Sequence, residues 1–382
     1  MNRWKEYKFS DSVQISPTVS LKGTEVYSFV EMKDLEDGNK FCFPKAKRKP
    51  SSGARFQEGD TLFARITPCL ENGKICQVKG LENGVGFGST EFLVFRGKEN
   101  ISHNDFVFYL SRWAEVRNFA ESNFEGTSGR QRVPKNCFES LFLKLPDYKT
   151  QTAIAETLSS LDDKIDLLHQ NNKTLEAMAG AIFRKWFTET ENDWEVGTLE
   201  DEFDFTMGQS PLGTDLNETG EGIIFYQGRS DFGFRFPTQR VYTTAPTRIA
   251  KPLDTLISVR APVGDMNMAI EECCLGRGVA AFRYKHNKEF YSYTYYKLRS
   301  LMQPIKQFED NGSVFGSIGK EDFKKLENII PPKELIEKFQ AKIKPLDGKI
   351  LLNETQIRTL TQLRDTLLPK LMSGEVRINS VT

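Results

Sequence analysis

Apolar positions recur in alternating four- and three-residue steps along two stretches of the chain. The first passes through Ile154, Leu158, Leu161, Ile165, Leu168, Asn172, Leu175, Ala179, Ile182 and Trp186. The second passes through Phe339, Ile343, Leu346, Ile350, Asn353, Ile357, Leu360, Arg364, Leu367 and Leu371. A mean step of about 3.5 residues keeps a seam on one helix face, the coiled-coil period. Each seam carries one asparagine, Asn172 or Asn353, and a buried amide that must find a partner fixes register. Two seams of equal length most economically bury each other, as an antiparallel coiled coil of two long helices. A homodimer, or each seam covering its own globular part, is the alternative. Pro345 lacks the N–H that a helix interior uses, and predicts a kink or restart in the second helix.

The remainder has another texture, rich in Gly, Phe, Tyr and Pro. Short apolar runs at 61–66 and 255–259 read as strands bounded by turn residues. One helix is expected in each part, over 104–120 and 289–308. The organisation predicted is two mixed α/β (α+β) globular domains at 1–146 and 190–331. Helical spacers follow at 147–189 and 332–375, with a tail at 376–382.

The chain is written twice. Trp4 and Trp194 open similar segments, and Gly59-Asp60-Thr61-Leu62-Phe63-Ala64-Arg65 matches the stretch from Leu253 to Arg260 within one residue. Ser128, Val133, Lys135 and Phe138 correspond to Ser313, Ile318, Lys320 and Phe323 at constant offset. At that offset Leu161-Asp162-Asp163-Lys164-Ile165 lies over Leu346-Asp347-Gly348-Lys349-Ile350.

Composition narrows the chemistry. Lys+Arg and Asp+Glu are 52 each, so nucleic-acid binding is not announced by net charge and would need segregated basic loops. No apolar run approaches the roughly 20 residues of a membrane span, and the N-terminus lacks a signal-peptide pattern, which places the protein in the cytoplasm. Cys42, Cys69, Cys76, Cys137, Cys273 and Cys274 form no C-x-x-C pair, so free thiols are expected rather than a metal site. There is no phosphate loop of the G-x-x-x-x-G-K-[ST] type and no Asp/Asn-Pro-Pro-Tyr/Phe stretch. Gly276-Arg277-Gly278-Val279-Ala280-Ala281 fits a relaxed dinucleotide pattern but continues as strand, without the helix N-terminus such a site needs. His103, His169 and His286 have no nucleophile beside them. No catalytic residue and no cofactor site is expected in this chain.

Several segments carry a resemblance. These are Leu145-Pro146 with Gln151-Thr152-Ala153-Ile154-Ala155, the two Leu-Asp-x-Lys-Ile repeats, and Leu175-Glu176-Ala177-Met178 running into Ile182-Phe183-Arg184-Lys185-Trp186-Phe187. Ile330-Pro331-Pro332 and the run from Leu367 to Glu375 repeat the theme, and Met207-Gly208-Gln209-Ser210-Pro211 with Tyr226-Gln227-Gly228 looks like the opening of a recognition domain. In this order, and duplicated, they make the chain resemble the specificity subunits of type I restriction-modification systems over nearly its whole length. The resemblance implies two target-recognition domains reading two half-sites of double-stranded DNA, with the helices setting the unread gap. It implies two modification (adenine methyltransferase) subunits, holding S-adenosylmethionine themselves, docked on the helices. A restriction subunit, an ATP-driven translocase and nuclease, can join. A coiled-coil scaffold whose α/β domains bind proteins is the competing reading.

Phosphates attract Lys and Arg, and base edges are read by bidentate Arg, Gln and Asn. The densest basic run holds Lys45, Lys47, Arg48 and Lys49, which also reads as a solvated loop. Ser128, Arg130, Gln131 and Arg132 follow glycines that free the backbone, whereas the repeat partner around Ser313 has no cation. Arg65 and Arg260 are expected at the ends of equivalent strands. In the second domain the candidates are Gln209, Gln227, Arg229 and Arg235. Tyr291, Tyr293, Tyr295 and Tyr296 read as core rather than as a stacking platform, and Trp186 and Phe187 as packing.

Overall fold

The computed structural model describes residues 4–127, 129–189, 193–310 and 316–378. The chain divides into two compact units, 1–168 with 356–382, and 169–355. Each unit thus takes one globular domain and about half of each long helix.

In the first unit a five-stranded sheet runs in the order Val13–Ile15, Phe92–Gly97, Thr61–Ala64, Ile75–Val78, Phe41–Cys42. A four-stranded sheet runs Ala46–Arg48, Tyr27–Val30, Val85–Gly88, Ala54–Gln57, with the two middle strands parallel. The second unit repeats the plan. Its first sheet runs Phe203–Met207, Val279–Tyr284, Thr255–Ser258, Met266–Met268, and its second places Ile223–Tyr226 parallel to Cys273–Leu275. Alternation along one strand fills two cores, because successive side chains leave opposite faces. Phe63 joins Phe9, Phe95, Phe106 and Leu158, while Leu62 joins Val30, Phe56 and Val94. Ile257 and Leu256 divide likewise between the two cores of the second unit.

The duplication extends to buried charges. Asp60 receives the Arg96 fork at 2.6 Å on both oxygens, and Asp254 receives that of Arg283 at 2.7 and 2.6 Å. Beyond these strands Val133 N donates to Arg65 O at 2.8 Å and Ile318 N to Val259 O at 3.1 Å. The counterpart of Arg65 is therefore Val259, which corrects the expected match with Arg260. In extended backbone a one-residue slip moves a side chain to the other face.

Two helical expectations also change. The single helix expected in each domain is two. Asn104–Arg112 and Ala114–Ser122 meet at an extended Trp113, and Tyr291–Ser300 and Met302–Asp310 meet at Leu301. The turn at Trp113 lets Phe106 and Leu110 on one segment and Val116 and Ala120 on the next reach the same core. The second long helix, Lys333–Ser373, runs unbroken through Pro345. Pro345 and Ala341, whose carbonyl loses its partner, are both exposed, so water can satisfy that oxygen.

The first long helix, Tyr148–Phe187, and the second run antiparallel. In the first unit Arg364 Nη1 donates to Asp162 Oδ1 at 2.7 Å. In the second, Asn172 meets Asn353, and Phe183 packs on Phe339 at 5.5 Å between ring centroids.

Each globular domain sends one buried cation to the helices from an equivalent place. Lys40 O accepts from Gln77 N at 2.7 Å, and Arg235 O from Met268 N at 2.8 Å, at matching positions of the neighbouring strand. Lys40 Nζ donates to Ser159 Oγ at 2.7 Å and lies 3.7 Å from Asp105. Arg235 reaches Asp347 at 3.0 Å and Glu176 at 3.1 Å, and Arg299 also pairs with Glu176 at 3.0 Å.

Candidate nucleic-acid interface

In the first domain the loop after the short helices is pinned at its base. Glu125 and Arg132 exchange backbone hydrogen bonds at 3.0 and 2.9 Å. Thr67 N donates to Gln131 O, and Gln131 N to Thr67 Oγ1, both at 3.0 Å. Gly126 and Gly129 hold φ of 111° and 80°, which other residues adopt only with strain. At the tip Arg130 is exposed and its side chain has no partner among the described residues. Arg132 is engaged: its fork grips Glu91 at 2.8 to 3.0 Å, and that hydrogen-bonded carboxylate raises its pKa. Arg65 is half-buried, its Nε enclosed without a partner. Ser128 and Ser313 lie outside the described residues.

The basic run is an edge strand rather than a loop. Lys45 pairs with Asp34 at 3.7 Å, Lys47 with Glu82 at 2.8 Å, and Arg48 with Glu31 while covering the Phe29 ring. Asp34 is buried, but the Lys47 and Arg48 pairs face solvent and are worth about 0–1 kcal/mol each, so phosphates can compete for those two cations. Lys49 is exposed.

In the second domain four turns converge. A cleft of about 160 Å³ is lined by Gln227, Gly228, Arg229, Arg260, Ala261, Arg277 and Gly278. Gln209 is anchored beside it, its N–H donating to Leu275 O at 2.9 Å. The turns touch so closely that a Cβ on Gly278 would sit 2.5 Å from Gln227 O, and one on Gly208 2.1 Å from Gly276 O. Arg229 pairs with Asp265 at 2.5 Å. Arg277 was not singled out by sequence reasoning, which weighed only the glycines around it.

Arg235 is not part of this surface. Its side chain is 1% exposed, between Glu176, Asp347 and the Tyr295 and Tyr296 rings. Burial opposes its charge, but the neighbouring tyrosines and carboxylates outweigh that and raise its pKa. A guanidinium enclosed in this way cannot reach a base edge, so the expectation of a DNA contact there is withdrawn. The tyrosine cluster is core as expected: Tyr293, Tyr295 and Tyr296 are buried and Tyr291 packs against them partly exposed. Trp186 and Phe187 pack on Phe339.

Among the described residues no group of His, Cys, Asp and Glu is arranged to hold a metal, and no helix is long and apolar enough to cross a membrane. The cysteines are unpaired, and burial pushes Cys273 up to about 12 and Cys137 up to about 11, far from thiolate reactivity.

Comparison with known proteins adds to this geometry. The family described as Type I restriction modification DNA specificity domain matches residues 3–177 and again 191–362. A provisionally named specificity subunit of the type I restriction enzyme MjaX from Methanocaldococcus jannaschii is 28% identical, over 84% of this chain and 79% of that protein. The HindI specificity subunit of Haemophilus influenzae is 24% identical over 98% of this chain and all of its own length, 100%. In fold, the chain is similar to the crystal structure of a type I restriction-modification S subunit from M. genitalium, with a TM-score of 0.58 at 17% identity and 96% of each chain covered.

Proposed function

Because this chain belongs to the type I restriction-modification DNA specificity family, we propose that it reads a split double-stranded DNA target, one half-site per recognition domain. It is a non-catalytic specificity subunit with two recognition domains. Two adenine-modification subunits, each holding its own S-adenosylmethionine, dock on the helical pair and methylate the half-sites. The same cytoplasmic assembly leaves room for a restriction subunit to join. The paired helices set the number of unread base pairs.

The observation that carries this reading is the duplication itself. The two units share one sheet plan, while the polar groups they expose differ in kind and place: Arg130 and Gln131 on a loop of the first, Gln227, Arg260 and Arg277 around a cleft of the second. One scaffold with two sets of hydrogen-bonding groups suits a protein that reads two unlike half-sites.

The test is to co-express the chain with its modification subunit and map N6-methyladenine across the host genome. Methylation at one bipartite motif, lost when the chain is omitted, is expected. An intact complex giving no chain-dependent methylation would return the chain to the scaffold reading.

A further inference from the structure

In the cleft of the second domain the backbone donors are taken while two arginine side chains are left free. Backbone N–H groups at a turn can cradle a phosphate when they are free. Here the two at the mouth are occupied, because Gln227 N and Gly228 N both donate to Asp231 Oδ2, at 2.7 and 3.3 Å. Arg229 is likewise tied to Asp265. Arg260 and Arg277 are different: both line the cleft, and neither side chain has a partner among the described residues.

Their backbones are held firmly. Arg277 N donates to Ser210 Oγ at 3.2 Å, and the next residue, Gly278, accepts from Val259 N at 2.9 Å. Arg260 follows directly on the buried strand Thr255–Ser258 and Val259, and bridges to Ser317. Two free planar forks on rigid, touching turns are the arrangement that reads the O6 and N7 acceptors of guanine in the major groove.

We infer that Arg260 and Arg277 are the specificity-determining residues of the second domain, each reading one guanine. The inference rests on the proposed DNA-reading function and names the bases that this domain selects.

Lysine variants test it, since an ammonium keeps a phosphate contact but loses the two-pronged grip on guanine. Arg260→Lys and Arg277→Lys would each be co-expressed with the modification subunit and the methylated motif mapped. The expected result is that the wild-type motif holds guanines in one half-site. Each variant then loosens one of them roughly tenfold or more against the other bases, while the other half-site stays fully read. That retained half-site also reports that the variant is folded. A motif unchanged at every position, or uniformly weaker methylation with no base relaxed, would overturn the inference while leaving the general reading intact. Absence of chain-dependent methylation with the wild-type chain would overturn both.

Discussion

The Asn353 side-chain amide donates to Asn172 Oδ1 at 2.8 Å inside the helical seam, and the Asn172 amide passes on to Glu354 Oε1 at 2.7 Å. All three residues are buried. Asn172→Ala strands the Asn353 amide and the Glu354 carboxylate, and an unsatisfied buried polar group costs about 1–3 kcal/mol. Asn353→Ala should cost a similar amount. In a double-mutant cycle by urea denaturation the two losses should be clearly less than additive. Strict additivity would mean that the amides do not act as a pair.

Four residues inserted into each long helix, between the Asp162–Arg364 and Asn172–Asn353 contacts, should lengthen the pair by about 6 Å. At about 3.4 Å per base pair the methylated motif should gain roughly two unread positions with both half-sites unchanged. A gap of the original length would remove the helices from that role.

Arg235→Met leaves Asp347 and Glu176 without their buried guanidinium. Removing one partner of a buried ion pair costs about 3–5 kcal/mol, so the urea midpoint should fall well below that of the wild type. Any complex that still assembles should keep the wild-type base preferences, because Arg235 is enclosed. A fully stable variant with an altered motif would reverse this assignment.

Replacing Arg130 and Gln131 with alanine should relax one half-site only, the one not touched by Arg260 and Arg277. Losing a good base contact weakens discrimination roughly tenfold. Methylation mapping that returns the wild-type motif would exclude this loop as a reader.

Glu202 is buried, accepts from Tyr293 Oη and Asn328 Nδ2 at 2.6 Å each, and has its pKa raised by that burial. A carboxyl that is a weaker acid when folded favours the native state most below its unfolded pKa, and loses that contribution as pH rises through its folded pKa. The second unit should therefore lose stability on going upward from the ordinary glutamate range near about 4.3. Glu202→Gln should flatten that segment of the pH–stability curve. The unpartnered Asn328 Oδ1 can turn to accept from the new amide. Equal pH slopes for the two proteins would discount Glu202 as the titrating group.

The helices were legible because burial repeats at a fixed period, and Asn172 and Asn353 stood out against an apolar seam. Their partnership with Glu354 was not, since adjacent helical positions reveal no contact across a pair. Arg364, which the period places in the second seam, is the mate of Asp162, a pairing that the spacing alone does not reveal. Arg235 misled because a cation between two phenylalanines in a glycine-rich stretch reads equally as exposed or enclosed. Its kinship with Lys40 was hidden by insertions that shift the two copies apart. Gln227, Arg229 and Arg260 do share one cleft, but Arg277 belongs there for reasons of sheet topology that spacing along the chain does not convey.

The buried cations fit each globular domain to its own helix halves despite the common fold. The first brings Lys40 with Asp105 to helices that offer Asp162 and Arg364, neutral meeting neutral. The second brings Arg235 and Arg299 to helices that offer Glu176 and Asp347, two positive charges meeting two negative ones. Exchanged, the second domain would press the enclosed charge of Arg235 against the first pair of helix halves, and the first would leave the buried Asp347 short of its cation. A globular domain moved to the other position of this chain should therefore fold stably only together with its own helix halves.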